Sequence, residues 1–156
     1  SLSGLDDRTP PDLATAMNAL PRFTTTGAYE SRAIMSLKIP DQAEFRRSYE
    51  SALETAWGTS RDEFEARFGF VDFRAITYVG LRQYDGLGNR QTDGSARGGM
   101  KIIFSDASGV DKGFIWMRGS GTEPVFRVLA DVEGEDAEGE AYLLEWQKRL
   151  IRVASS

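Results

Sequence analysis

Apolar and polar residues alternate along the chain with two periods, and the order of those periods predicts the elements. Residues 1–10 are small and polar, the composition of a linker. Pro10-Pro11-Asp12 then marks a helix start, Leu13, Ala16, Met17 and Leu20 share one side, and Pro21 closes it. Over residues 29–39 the period drops to two, with Tyr29, Ala33, Met35, Leu37 and Ile39 on one face, which predicts a half-buried strand. Asp41 and Glu44 form a capping box, and Phe45, Tyr49, Ala52, Leu53, Ala56 and Trp57 recur at helical spacing. That helix of about four turns is expected to stop at Gly58. Ser60 and Glu63 then open a second, short helix that carries Phe64 and Phe68 and ends at Gly69.

Beyond Phe70 the helical period is lost. Ile76, Tyr78, Val79 and Leu81 predict a strand, and Met100, Ile102 and Phe104 predict another. Between them runs a glycine-dense connection, Asp85-Gly86-Leu87-Gly88-Asn89-Arg90 and Asp93-Gly94-Ser95-Ala96-Arg97-Gly98-Gly99, which predicts no regular element. A turn over 105–112 leads to two more apolar strands, 113–117 and 125–132, separated by seven residues. Residues 135–153 form an amphipathic helix with Ala141, Leu144 and Ile151 on one stripe and Leu143, Leu150 and Val153 beside it; its acids come first and its bases last, as the helix dipole favours. The order predicts an α+β sandwich with helices on one face of a mostly antiparallel sheet. Residues 1–21 read as a linker and the tail of a preceding domain, and residues 22–156 as one domain.

Composition narrows the chemistry. In 156 residues, 40% are hydrophobic and 11% aromatic, enough for a closed core. Nineteen Lys and Arg against 24 Asp and Glu leave a net charge of −5, a field that disfavours nucleic acid and anionic membrane as partners and requires any anion site to be local. The chain has no Cys, so thiol nucleophiles, disulfides and zinc thiolates are excluded; it has no His, so the usual neutral-pH proton shuttle is missing. No apolar run approaches the ~20 residues of a membrane span, and a cytoplasmic location is expected.

Two motif readings of the glycine-dense connection fail. Gly86-Leu87-Gly88-Asn89-Arg90-Gln91 lacks the third glycine of a dinucleotide fingerprint. Read as a calcium loop from Asp85, it sets Leu87 and Ala96 where oxygen ligands belong. Its Arg90 and Arg97 read as solvated loop arginines before they read as anion ligands. The informative stretch is Arg118-Gly119-Ser120-Gly121-Thr122-Glu123-Pro124 with Arg127 after it. Glycines that adopt positive φ turn successive N–H groups toward an anion, Ser120 and Thr122 add hydroxyls, and Arg118 and Arg127 add planar forks for phosphate oxygens. A hairpin turn with incidental arginines is the bland alternative.

This stretch, between GFIWM and VFRVLADVE, resembles the C-terminal phosphate-binding loop of the α-D-phosphohexomutases, the phosphoglucomutases and phosphomannomutases. A run such as Ser-Gly-Thr-Glu-Pro arises by chance in a chain of this size with odds on the order of 10⁻⁴. The likeness is sharpest over residues 113–134 and extends over 22–156 as the family's TBP-like fourth domain. Gly119 stands where Pro or Ala is often found, and the stretch 58–99 is longer than in compact members. The resemblance implies that Arg118, Gly119, Ser120, Gly121, Thr122 and Arg127 bind the substrate phosphate. It implies an enzyme that interconverts sugar 1-phosphate and sugar 6-phosphate through a bisphosphate, with a phosphoserine and a magnesium ion held by the remaining domains of the same polypeptide. The chain has neither a serine nucleophile loop with its His nor an Asp-x-Asp-Gly-Asp metal cluster. Alone, it is therefore expected to contribute no catalytic residue or metal ligand and to be inactive. A different class also fits the element order: a helix-grip module that encloses a small apolar or anionic ligand between a curved sheet and its last helix.

Overall fold

A computed structural model describes residues 22–79, 82–87, 99–119 and 124–156. The helix expected before Pro21, and Arg90 and Arg97 with most of the glycine-dense connection, lie outside these residues. In chain order the elements are β1 (Phe23–Thr25), a 3₁₀ turn (Ser31–Ala33), β2 (Ile34–Ser36), α1 (Gln42–Phe68), β3 (Asp72–Val79), β4 (Arg82–Asp85), β5 (Met100–Ser105), β6 (Asp111–Gly119), β7 (Val125–Glu133) and α2 (Ala137–Ser155). The strands form one seven-stranded sheet in the order β1-β7-β6-β5-β3-β4, with every pair antiparallel. β2 joins the same edge as β1, pairing with the first residues of β7 while β1 pairs with the last. The fold class is α+β, as the element order predicted, and both helices cover the same face of the sheet.

The two-residue period separates the faces. Ile102, Phe104, Ile115, Met117, Val128 and Ala130 point toward the helices and are fully buried. There they meet Tyr49, Leu53 and Phe64 of α1 and Leu143, Leu144 and Ile151 of α2. The centre of this layer is aromatic. Phe70 stacks on Phe104 with ring centres 4.6 Å apart, and Phe64 meets the edge of Phe104 at 5.8 Å and leans on Trp146 at 4.8 Å. Of the stripe expected on α2, Leu143, Leu144, Leu150 and Ile151 are buried, whereas Ala141 is exposed and Val153 is 64% exposed.

Three expectations are corrected. Gly58 does not stop a helix: α1 runs unbroken for 27 residues. Gly58 sits on the solvent side, while Tyr49, Leu53, Trp57 and Phe64 keep one inward stripe on both sides of it. The ~1 kcal/mol cost of a mid-helix glycine is small beside the roughly 1.5–3 kcal/mol that each buried large side chain contributes. Ser60 is accordingly no cap; its hydroxyl accepts the Trp146 indole N–H at 3.1 Å. The true ends are Asp41, whose carboxylate accepts the Glu44 N–H at 3.0 Å, and Gly69, left-handed at φ 77° with its N–H on the Glu65 carbonyl at 2.9 Å.

The alternating stretch 29–39 is a strand only over Ile34–Ser36. Glu30 accepts the Gly27 N–H with its side chain at 2.7 Å and the Ala33 N–H with its carbonyl at 3.0 Å, and these local bonds draw the chain into a turn that leaves Tyr29 97% exposed. Finally, β1 and β4 are strands where none was expected; both are short pieces at the sheet edges with little alternation of their own. Among the described residues, no helix is long and apolar enough to cross a membrane.

Candidate functional site

β6 and β7 bring the two flanking arginines of the glycine motif together. Arg118 and Arg127 are direct partners in the antiparallel register, one pair inside the point where the strands separate into their connection. Side chains so placed have Cβ atoms about 5 Å apart. Their inward neighbours Met117, Phe126 and Val128 are buried in the core, so strand alternation aims both guanidinium groups at the opposite, helix-free face, where both are exposed. No carboxylate among the described residues pairs with either. By contrast, Arg67 holds Asp136 at 2.7 Å and Arg74 holds Asp111 at 2.7 Å. Like charges set directly opposite each other destabilise a sheet, so the pair is an electrostatic cost in the free chain that an anion would relieve.

Ser120, Gly121 and Thr122 lie outside the described residues. Gly119 is the last residue of β6 and does not have positive φ, so it takes no part in a nest by that route. A Cβ there would touch Phe126 Cζ at 3.4 Å and Gln42 Nε2 at 3.7 Å, which are ordinary contacts. The position therefore accommodates alanine. The Gln42 contact also places the N-terminus of α1 at this end of the sheet. Asp41 and Glu44 occupy that helix start, so it adds no net positive charge. On the other side of the motif, the Leu37 N–H donates to the Pro124 carbonyl at 2.8 Å, which fixes the return of the chain into β7.

Sequence reasoning missed the aromatic residues beside the arginine pair. Trp116 was legible only as part of an apolar strand, yet it alternates with Arg118 and faces the same open side, half-buried. Gly99 closes the glycine-dense connection and lies one position beyond the Met100–Met117 pair, beside Arg118. The indole of Trp116 leans across it: a Cβ on Gly99 would lie 2.9 Å from Trp116 Nε1. Tyr78 comes next, its N–H on the Gly99 carbonyl at 2.8 Å.

Further along the same face, Asp131 is 6% exposed in a hollow of about 140 Å³ lined by Phe23, Lys101, Ile103 and Phe114. Burial pushes its carboxyl above the usual range, opposed by the hydroxyl of Thr25, which donates to it, and by the charge of Lys101. The Lys101 ammonium lies 4.2 Å from the centre of the Phe114 ring. On the outer surface of the helices, a groove of about 700 Å³ runs between Ser48, Ala52, Thr55 and Thr59 of α1 and Trp146 and Leu150 of α2. It is not the enclosure expected of a helix-grip module, because the space between α2 and the sheet is filled by Leu143, Leu144 and Ile151 against Ile115, Val128 and Ala130. Among the described residues, no group of three or more carboxylates is placed to hold a metal ion. Compared with known proteins, the chain matches no family model, and no curated protein matches it at a significant level.

Proposed function

We propose that the chain is the phosphate-binding domain of a cytoplasmic phosphohexomutase, and that Arg118 and Arg127 grip the phosphate of a sugar phosphate that is not reacting. The carrying observation is the register pair: two permanently charged, planar forks stand side by side at the mouth of one hairpin, on an open face, and no carboxylate among the described residues pairs with either. Two such forks can take up to four oxygen contacts from a tetrahedral dianion, with more geometric constraint than two ammonium groups would impose. Ser120 and Thr122, in the connection between them, bring hydroxyl donors in sequence. The motif's likeness to the family loop adds the substrate class. Phosphoryl transfer itself belongs to groups outside this chain, so the domain's part is to hold and orient one end of the substrate.

Titration of the chain with inorganic phosphate, followed by amide and arginine side-chain NMR, tests this reading. The largest shifts are expected at residues 118–127 and at the Arg118 and Arg127 Nε–H groups. Affinity should be weak, because one domain supplies part of a cleft and association must still overcome lost translational freedom. Shifts centred on residues 86–99 would reject the assignment.

A further inference from the structure

The same face carries a second feature that the phosphate reading does not use. Across the sheet, Arg127, Arg118, Gly99 and Tyr78 form one row, and Gly99 leaves a gap in it. The Trp116 indole leans into that gap from the row below, so that Tyr78, Trp116, Arg118 and Arg127 lie along one strip of the open face. Any side chain at position 99 would meet Trp116 Nε1 at 2.9 Å and the Met117 carbonyl at 3.3 Å. The indole N–H has no acceptor among the described residues and is not sealed in the core. Trp146 in the same chain, by contrast, is buried and has its partner in Ser60. Lys101, directly opposite Trp116, sets its ammonium over the Phe114 ring.

We infer that Trp116 is the ledge on which the body of the ligand rests while its phosphate is held by Arg118 and Arg127; the inference rests on the phosphate reading above. A ligand matched to this strip has a phosphate at one end and, about one residue pair away, a compact body with an apolar C–H face for the indole and hydroxyl acceptors for its N–H. A pyranose phosphate has that form. A nucleic acid strand would need a track of cations to follow its backbone, and a chain with a net charge of −5 disfavours such a partner.

The test compares inorganic phosphate with glucose 6-phosphate and glucose 1-phosphate on the 156-residue chain, reading the indole N–H signals by ¹⁵N NMR. The Trp116 signal is assigned by its loss in Trp116→Phe. Hexose phosphate should bind roughly three- to tenfold more tightly than phosphate and should move the Trp116 indole, which phosphate alone leaves in place. Trp116→Ala should remove that advantage without changing phosphate affinity, and Trp116→Phe should retain most of it; thermal melts of both check the fold. Equal binding of phosphate and hexose phosphate, an unmoved indole, or equal weakening of both ligands in Trp116→Ala would each overturn the ledge while leaving the clamp intact. Tighter binding of an oligothymidylate than of hexose phosphate would overturn it in favour of nucleic acid. Failure of every phosphate to bind would reject the clamp, and the ledge with it.

Discussion

The two faces of the sheet are built from the same strands, yet they obey different rules. On the helix side, Ile102, Phe104, Ile115 and Val128 are wholly buried in one apolar and aromatic cluster. One position along each strand, the open side carries Lys101, Trp116, Arg118, Arg127 and Asp131, where charge stands next to aromatic surface and like charge faces like charge. Packing explains the first set; nothing in the fold requires the second. A sheet whose outer face served only solubility would avoid opposed arginines and half-buried tryptophan. The difference teaches that the inner register holds the fold and that the outer register is available for a ligand.

Substitutions at five positions would break or sharpen this contrast and the fold that carries it. Phe104→Ala removes a ring that Phe70, Trp57, Phe64 and Trp146 all touch, and it should lower stability by roughly 3–5 kcal/mol, read from urea unfolding. A loss as small as that of a surface substitution would erase the distinction between the faces. Next, Arg118→Ala or Arg127→Ala should weaken phosphate binding by one to two orders of magnitude, since a hydrogen bond to a charged group is worth roughly 1.5–3 kcal/mol. The same variants should keep their unfolding midpoints within the ~0.5 kcal/mol usual for surface changes. Arg→Lys should recover part of the binding, because an ammonium keeps the charge without the fork.

Gly58→Ala touches neither face. No atom lies within 4 Å of the added methyl group, so the variant should gain about 0.5–1 kcal/mol in helix stability; a loss would mean that α1 is not continuous there. The smallest effect is expected from Asp131→Asn. The Asp131 carboxyl titrates above its ordinary value because it is buried. The sign follows: the folded state favours the protonated form, and wild-type stability falls as pH rises through the folded pKa. Asn keeps an acceptor for the Thr25 hydroxyl and carries no charge. Its melting temperature should exceed that of wild type at pH 7, and the two should converge below about pH 4, where the unfolded aspartate is also protonated.

Elements with strong local signals could be read from the sequence. The Asp41 cap, the Gly69 stop, the core strands β5 to β7 and the C-terminal helix all follow from capping chemistry or clear periods, and they came out close to their observed bounds. Errors arose where tertiary packing overrode a local cue. Gly58 is a credible stop until the aromatic stripe on both sides of it is seen to pack on a single surface. β1 and β4 are three and four residues long, too short to show a period, and exist because a neighbouring edge supplies their hydrogen bonds. At the site, the arginine pair was legible because its flanking strands are strong and its turn is short, which fixes the register. Trp116 was not, because an apolar strand of GFIWM gives no hint that one of its residues faces outward beside two charges.

The edge made by β1 and β2 has a consequence for how the molecule assembles. Both strands and the turn between them come from the start of the domain and close on β7 and α2 about a hundred residues later: Thr25 with Asp131 of β7, and Thr26 and, at 2.8 Å, Arg32 with Glu140 of α2. The hairpins β5-β6 and β6-β7 need only short loops, whereas this edge must close the longest loop in the fold before any of its hydrogen bonds can form. It is therefore the last piece to dock and the first to open. Amide exchange should be faster at Thr26, Met35 and Leu37 than at Ile102, Ile115 and Val128. Since Leu37 holds the Pro124 carbonyl at the end of the glycine motif, the order of assembly leaves the return of the chain into β7 unfinished until the rest of the chain has folded.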